Sequence, residues 1–143
     1  MQMSPVIAIH LSAALGALVL GPVALWARRG HRSGTASTQR PRLHRAAGYA
    51  WVTLMLMTAV SAIFIRDFRL PNIAGYTPIH ILVPVVFGSL FMAFRTLLRG
   101  DITQHRGWMV RLYFSACIGA GIFTLLPNRY LGQLVWGQWL GLL

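Results

Sequence analysis

The chain has 143 residues, enough for one domain, and 56% of them are hydrophobic. Thirteen basic residues, all arginine, stand against two acids, Asp67 and Asp101, for a formal charge of +11. That balance would point to nucleic acid in a soluble protein. The long apolar runs and the absence of any nucleic-acid-binding motif exclude that partner, and match the positive loops to anionic membrane headgroups.

Four apolar stretches predict an all-α, four-helix transmembrane bundle with helices at about 5–27, 44–65, 77–98 and 107–126. Ser4 is placed to cap the first helix, and Pro5 suits its first turn. The start, MQMSPVIAIH, lacks a basic leader region, so the first run is expected to stay in the membrane. Pro22 and Pro84 fall inside predicted helices, where neighbouring helices can accommodate them. Pro127 stops the fourth helix. The segment 131–143 would measure about 20 Å as a helix, short for a crossing. Its Trp136 and Trp139 predict a short interfacial helix or a packing element at the bundle end. Cys117 is the only cysteine and sits among apolar residues, so no disulfide forms within the chain and a packed thiol is expected.

Arginine counts set the expected topology. The first connection holds RRGHRSGTASTQRPR, a polar loop whose charge topology control accounts for and which could also bind anionic lipid, and Arg45 follows it. Arg95, Arg99, Arg106 and Arg111 cluster around the third connection, whereas the second holds only Arg66 and Arg69 beside Asp67. The first and third connections are therefore expected in the cytoplasm of a bacterial inner membrane, with both termini outside.

A shift of 70 residues sets His10 over His80 and Gly30 over Gly100. His44-Arg45 then answers to His105-Arg106, across a first connection that is longer. This pattern predicts a parallel duplication of one helical hairpin. It puts His10 and His80 near the outer face, and His44 and His105 near the inner face. Two opposed imidazoles about 4 Å apart can hold a haem iron between them, each Fe–N bond being about 2 Å. The four histidines are thus candidate ligands for two haems b, with copper or zinc as the alternative metal. Uncharged packing of the rings is the competing reading.

Arg45 and Arg106 are candidates to meet haem propionates, an anionic quinone or lipid. Arg111 lies deeper and is expected to reach Asp101, a propionate, a phosphate or, by snorkelling, the interface. Asp101 can cap a helix, orient His105 or balance nearby arginines. Tyr49, Trp51, Trp108 and Tyr113 are expected as ring walls or an interfacial belt. Gly16, Gly48, Gly88, Gly119 and Gly121 are expected at close helix or cofactor approaches. No hydrolase, Rossmann or P-loop motif is present, and no pair of membrane carboxylates.

The first-helix histidine, HRAAG at 44–48, the third-helix histidine and GDITQHRGWMVR at 100–111 together resemble the DUF2306 family of predicted membrane proteins. The resemblance implies a compact multi-helix bacterial membrane protein and no particular activity. The chain more distantly resembles small membrane cytochromes b and the small four-helix proteins of haem-copper oxidase assembly. The residues favour transmembrane electron transfer by a bis-histidine cytochrome b with a quinol or another membrane redox partner. Oxidoreductase chemistry at a haem edge would use Arg45, Arg106 or Arg111 to position substrate. Metal or small-molecule transport, oxidase assembly and a structural lipid-binding subunit are the alternatives.

Overall fold

The computed structural model describes residues 4–27, 41–66, 68, 73–127 and 129–141. Most of the predicted first connection, with Arg28, Arg29, Gly30, Arg32 and Arg40, lies outside the described residues, as do Asp67 and Arg69. The described chain is helical apart from turns and one isolated bridge, Ile73 to Tyr76. Three helices are long and apolar enough to cross a membrane: α1 (Pro5–Trp26), α2 (Pro41–Phe64), and a third that opens as a 3-10 turn (Pro78–Ile81) and continues as α3 (Leu82–Leu98). A further helical path runs through α4 (Ile102–Leu112), a π-helical stretch (Tyr113–Gly119) and α5 (Ala120–Thr124). Short α6 (Tyr130–Gly132) and a second π-helical stretch (Gln133–Trp139) follow. The outward faces are as apolar as the core; Val19 is 66% exposed and Phe91 65%. A bilayer accepts such a surface and water does not.

Local chemistry sets the helix ends. Ser4 Oγ accepts the Ile7 N–H at 3.3 Å, with Pro5 in the first turn. α2 begins at Pro41, earlier than the expected residue 44, because proline is preorganised for a first helical position. α4 begins at Ile102 rather than 107 because Asp101 caps it, accepting the Gln104 N–H at 2.9 Å. Between α3 and α4, Asp101 N–H bonds to Thr96 O at 2.9 Å and Gly100 N–H to Leu97 O at 3.0 Å. This pairing closes a helix with a left-handed residue, and Gly100 has φ +75°. Gly100→Ala is expected to cost about 1 kcal/mol, read as a lower denaturation midpoint in micelles.

α1 packs on α2, α2 on α3 and α3 on α4, while the first π-helical stretch returns to α1. Neither α1 with α3 nor α2 with α4 shares an extended contact among the described residues. The core joins Ala17, Trp51, Met55, Ala59, Val86, Leu90, Leu112 and Tyr113. Trp51 and Tyr113 are thus core residues, while Tyr49 stays exposed.

A proline organises the middle of α1. Pro22 has no N–H, so the Leu18 carbonyl one turn back loses its helix partner. Tyr113 replaces it, donating its hydroxyl to Leu18 O at 3.1 Å. Its ring lies 2.5 Å from where a Cβ on Gly21 would stand, so only glycine admits it. Gly21, not one of the five expected glycines, makes the tightest approach along the long helices. Gly16 does meet Leu54, but Gly48, Gly88 and Gly121 face open space.

After Pro127 the chain folds back. Trp136 Nε1–H donates to Leu125 O at 2.7 Å, and Gly132 packs on the Leu126 carbonyl with no room for a Cβ. Gly132→Ala is expected to undock this segment, shown by faster proteolysis after Arg129 and a changed tryptophan emission.

Candidate functional site

The four histidines lie in two groups, one at each end of the helices. At the arginine-rich end, His44 Nδ1 bonds to Ala24 O at 2.9 Å and His105 Nδ1 to Ala93 O at 2.8 Å. Ala24 lies in the last turn of α1, where carbonyls lack helical partners, so His44 ties the end of α1 to the start of α2. At the opposite end, His10 Nδ1 bonds to Thr58 O at 3.0 Å, with Ser61 Oγ as a second acceptor at 3.1 Å. The Ser61 hydroxyl spends its own hydrogen on Met57 O at 2.7 Å. The α1–α2 hairpin is therefore pinned at both ends by a ring from one helix to a carbonyl of the other.

A carbonyl can only accept, so each of these three rings carries a proton on Nδ1, which in the neutral imidazole leaves the lone pair on Nε2. Among the described residues no hydrogen bond engages any of the three Nε2 atoms. All three rings are half-buried.

His80 is used differently. Thr77 N–H donates to its Nδ1 at 3.1 Å, capping the 3-10 turn. The proton therefore sits on Nε2, which donates to Ile65 O at 2.9 Å, just past the end of α2. Tyr76 meets the His80 ring edge-to-face at 5.1 Å, and Arg66 lies 5.2 Å from the centre of the Tyr76 ring.

Arg45 and Arg106 flank His44 and His105 and are exposed. Arg111 is exposed too, lies 5.2 Å from the centre of the Trp108 ring, and turns back beside Gly107. It runs toward the start of α4, as snorkelling requires. Asp101 serves as a cap, while His105 is oriented by the Ala93 carbonyl. Among the described residues no three His, Cys, Asp or Glu side chains gather as a metal site. Cys117 gives its thiol proton to Met55 Sδ at 3.6 Å and packs as a core side chain.

A family model for DUF2306, described as a predicted membrane protein, matches residues 7–133. The chain belongs to the DUF2306 family. No curated protein and no solved structure matches it. The matched part of this DUF2306 chain contains all four candidate histidines, His10, His44, His80 and His105. Its GD…HR segment now has a physical account: Gly100 leaves α3, Asp101 starts α4, and one turn later His105 returns to α3. The acceptors Ala24, Thr58 and Ala93 escaped sequence reasoning because a backbone carbonyl has no residue signature. Thr58 and Ser61, a polar pair inside an apolar helix, were the one available sign.

Proposed function

We propose that this DUF2306 protein is a transmembrane b-type cytochrome, with four helical crossings that carry two pairs of haem-ligating histidines. The observation that carries the reading is the state of the rings. His10, His44 and His105 each anchor Nδ1–H on a carbonyl of a neighbouring helix, and among the described residues nothing bonds their Nε2. An imidazole that would hold a haem iron needs this arrangement: one nitrogen fixes ring and tautomer while the other keeps its lone pair.

The packing order supports the pairing. Contacts run from α1 to α2, α3 and α4, and the path after α4 returns to α1. His10 and His80 then lie on one diagonal, His44 and His105 on the other. Helices whose histidines would hold one group between them need such a separation. Gly48, one turn beyond His44, leaves its face of α2 open. Two protein ligands suffice for a haem, whereas zinc and copper sites built from side chains need three or four.

When bound, haem supplies a one-electron iron couple. The chain holds the imidazoles, excludes water with apolar walls and offers Arg45, Arg106 and Arg111 to propionates or an anionic partner group. His44 and His105 would need no change of tautomer. His80 must release Ile65 O and move its proton to Nδ1, where Thr77 O lies 3.1 Å away. The inner pair would therefore be the first to hold the group. The like clamps of His44 and His105 support descent from one duplicated hairpin. The positive-inside rule puts the arginine-rich end in the cytoplasm of a bacterial inner membrane and both termini outside, with a quinol or another membrane redox protein as partner.

The test is an optical spectrum of the purified protein after expression with added haem, oxidised and reduced. A Soret band with an α band that sharpens on reduction is expected. A colourless, correctly folded protein would overturn the reading.

A further inference from the structure

The outward face of α3 carries a feature that electron transfer does not use. Phe91, Phe94, Arg95, Leu98 and Arg99 line one open groove near the end of the helix. Their spacing follows one stripe of a helix, apolar toward the membrane centre and cationic at the arginine-rich end. Val86, Leu90, Ala93 and Thr96 are the buried side of α3, so the groove faces away from the core.

Neither arginine has a carboxylate partner among the described residues. The one described acid, Asp101, is turned to the Gln104 N–H at the start of α4. Among the described residues, two guanidinium groups one turn apart thus sit unneutralised where headgroups lie, above the exposed Phe91 ring, the half-buried Phe94 and Leu98, which is 88% exposed. A phosphate diester matches the fork of donors, and an acyl chain matches the apolar floor.

We infer that this groove is a binding site for an anionic phospholipid of the leaflet at the arginine-rich end, with its phosphate on Arg95 and Arg99 and one acyl chain along Phe91, Phe94 and Leu98. Charge complementarity selects an anionic lipid over a zwitterionic one, whose own ammonium would meet the guanidinium groups. The site is independent of whether haem is bound.

The experiment uses the full chain, equilibrated in mixed micelles of equal phosphatidylglycerol and phosphatidylcholine, then washed and analysed for retained lipid by mass spectrometry. Phosphatidylglycerol is expected about tenfold enriched, falling to within about twofold in R95Q/R99Q, with each single change lowering it about threefold. R42Q, at the same end, is expected to keep most of the enrichment. Circular dichroism checks the helix content of each variant, and the single variants serve if the double one fails to fold. Unchanged enrichment in R95Q/R99Q would overturn the inference. So would equal loss in R42Q and R95Q/R99Q, which would mean a diffuse basic surface, or displacement of the lipid by inorganic phosphate alone, which would mean a simple anion site.

Discussion

His44→Ala and His105→Ala are each expected to remove the whole inner low-spin haem component, and to the same extent, whereas His10→Ala spares it. The equality follows from a shared iron: with either imidazole gone, the remaining one cannot hold a six-coordinate low-spin centre. The clamps give a second, smaller consequence. Loss of His44 leaves the Ala24 carbonyl at the end of α1 without its partner, and loss of His105 takes one donor from Ala93 O. Interhelical hydrogen bonds in membranes are worth about 1 kcal/mol, so both variants should fold with modestly lower stability. Optical titration with hemin separates the two effects, since a clamp alone would alter stability and leave no colour to lose. Equal stability loss with no change in haem uptake would reduce both rings to helix fasteners.

The second large effect is expected at Tyr113. Tyr113→Ala opens a cavity between α1 and the first π-helical stretch and should cost roughly 3 kcal/mol. Tyr113→Phe keeps the ring and removes only the hydroxyl that serves Leu18 O, for about 1 kcal/mol. The cause can be isolated, because the Leu18 carbonyl is orphaned by Pro22 one turn later. Pro22→Ala restores a backbone N–H to that carbonyl. In the Pro22→Ala background, Tyr113→Phe is therefore expected to be nearly neutral. Unfolding in mixed micelles by denaturant, run as a double-mutant cycle, reads the coupling. Full additivity would mean that the proline and the tyrosine do not share the carbonyl.

The apolar runs were legible in the sequence because length and composition suffice to mark a crossing, and Ser4 and Asp101 announced two helix starts. The fourth run is less regular than its hydropathy implied. Its turns widen from Tyr113 to Gly119, a change in backbone pitch with no composition signature. Gly21 was hidden for a different reason: its partner Tyr113 lies 92 residues along the chain, so no local pattern links them. At the candidate site, the histidines and their grouping at two ends followed from spacing and arginine counts. The tautomers did not, since they depend on which carbonyl each ring meets. His80 shows the limit well. It looked equivalent to His10 by repeat position, yet a proline-led 3-10 turn at Pro78 places its Nδ1 on Thr77 N–H and its Nε2 on Ile65 O.

The central claim is that imidazoles from different helices present free Nε2 atoms to one iron. Electron paramagnetic resonance of the oxidised wild-type protein, titrated with hemin in lipid nanodiscs, tests it most directly. The account predicts a bis-imidazole low-spin signal that grows to one equivalent through His44 and His105 before any second component appears. Hemin that stays high-spin, or whose signal is unchanged in His44→Ala and His105→Ala, would contradict it.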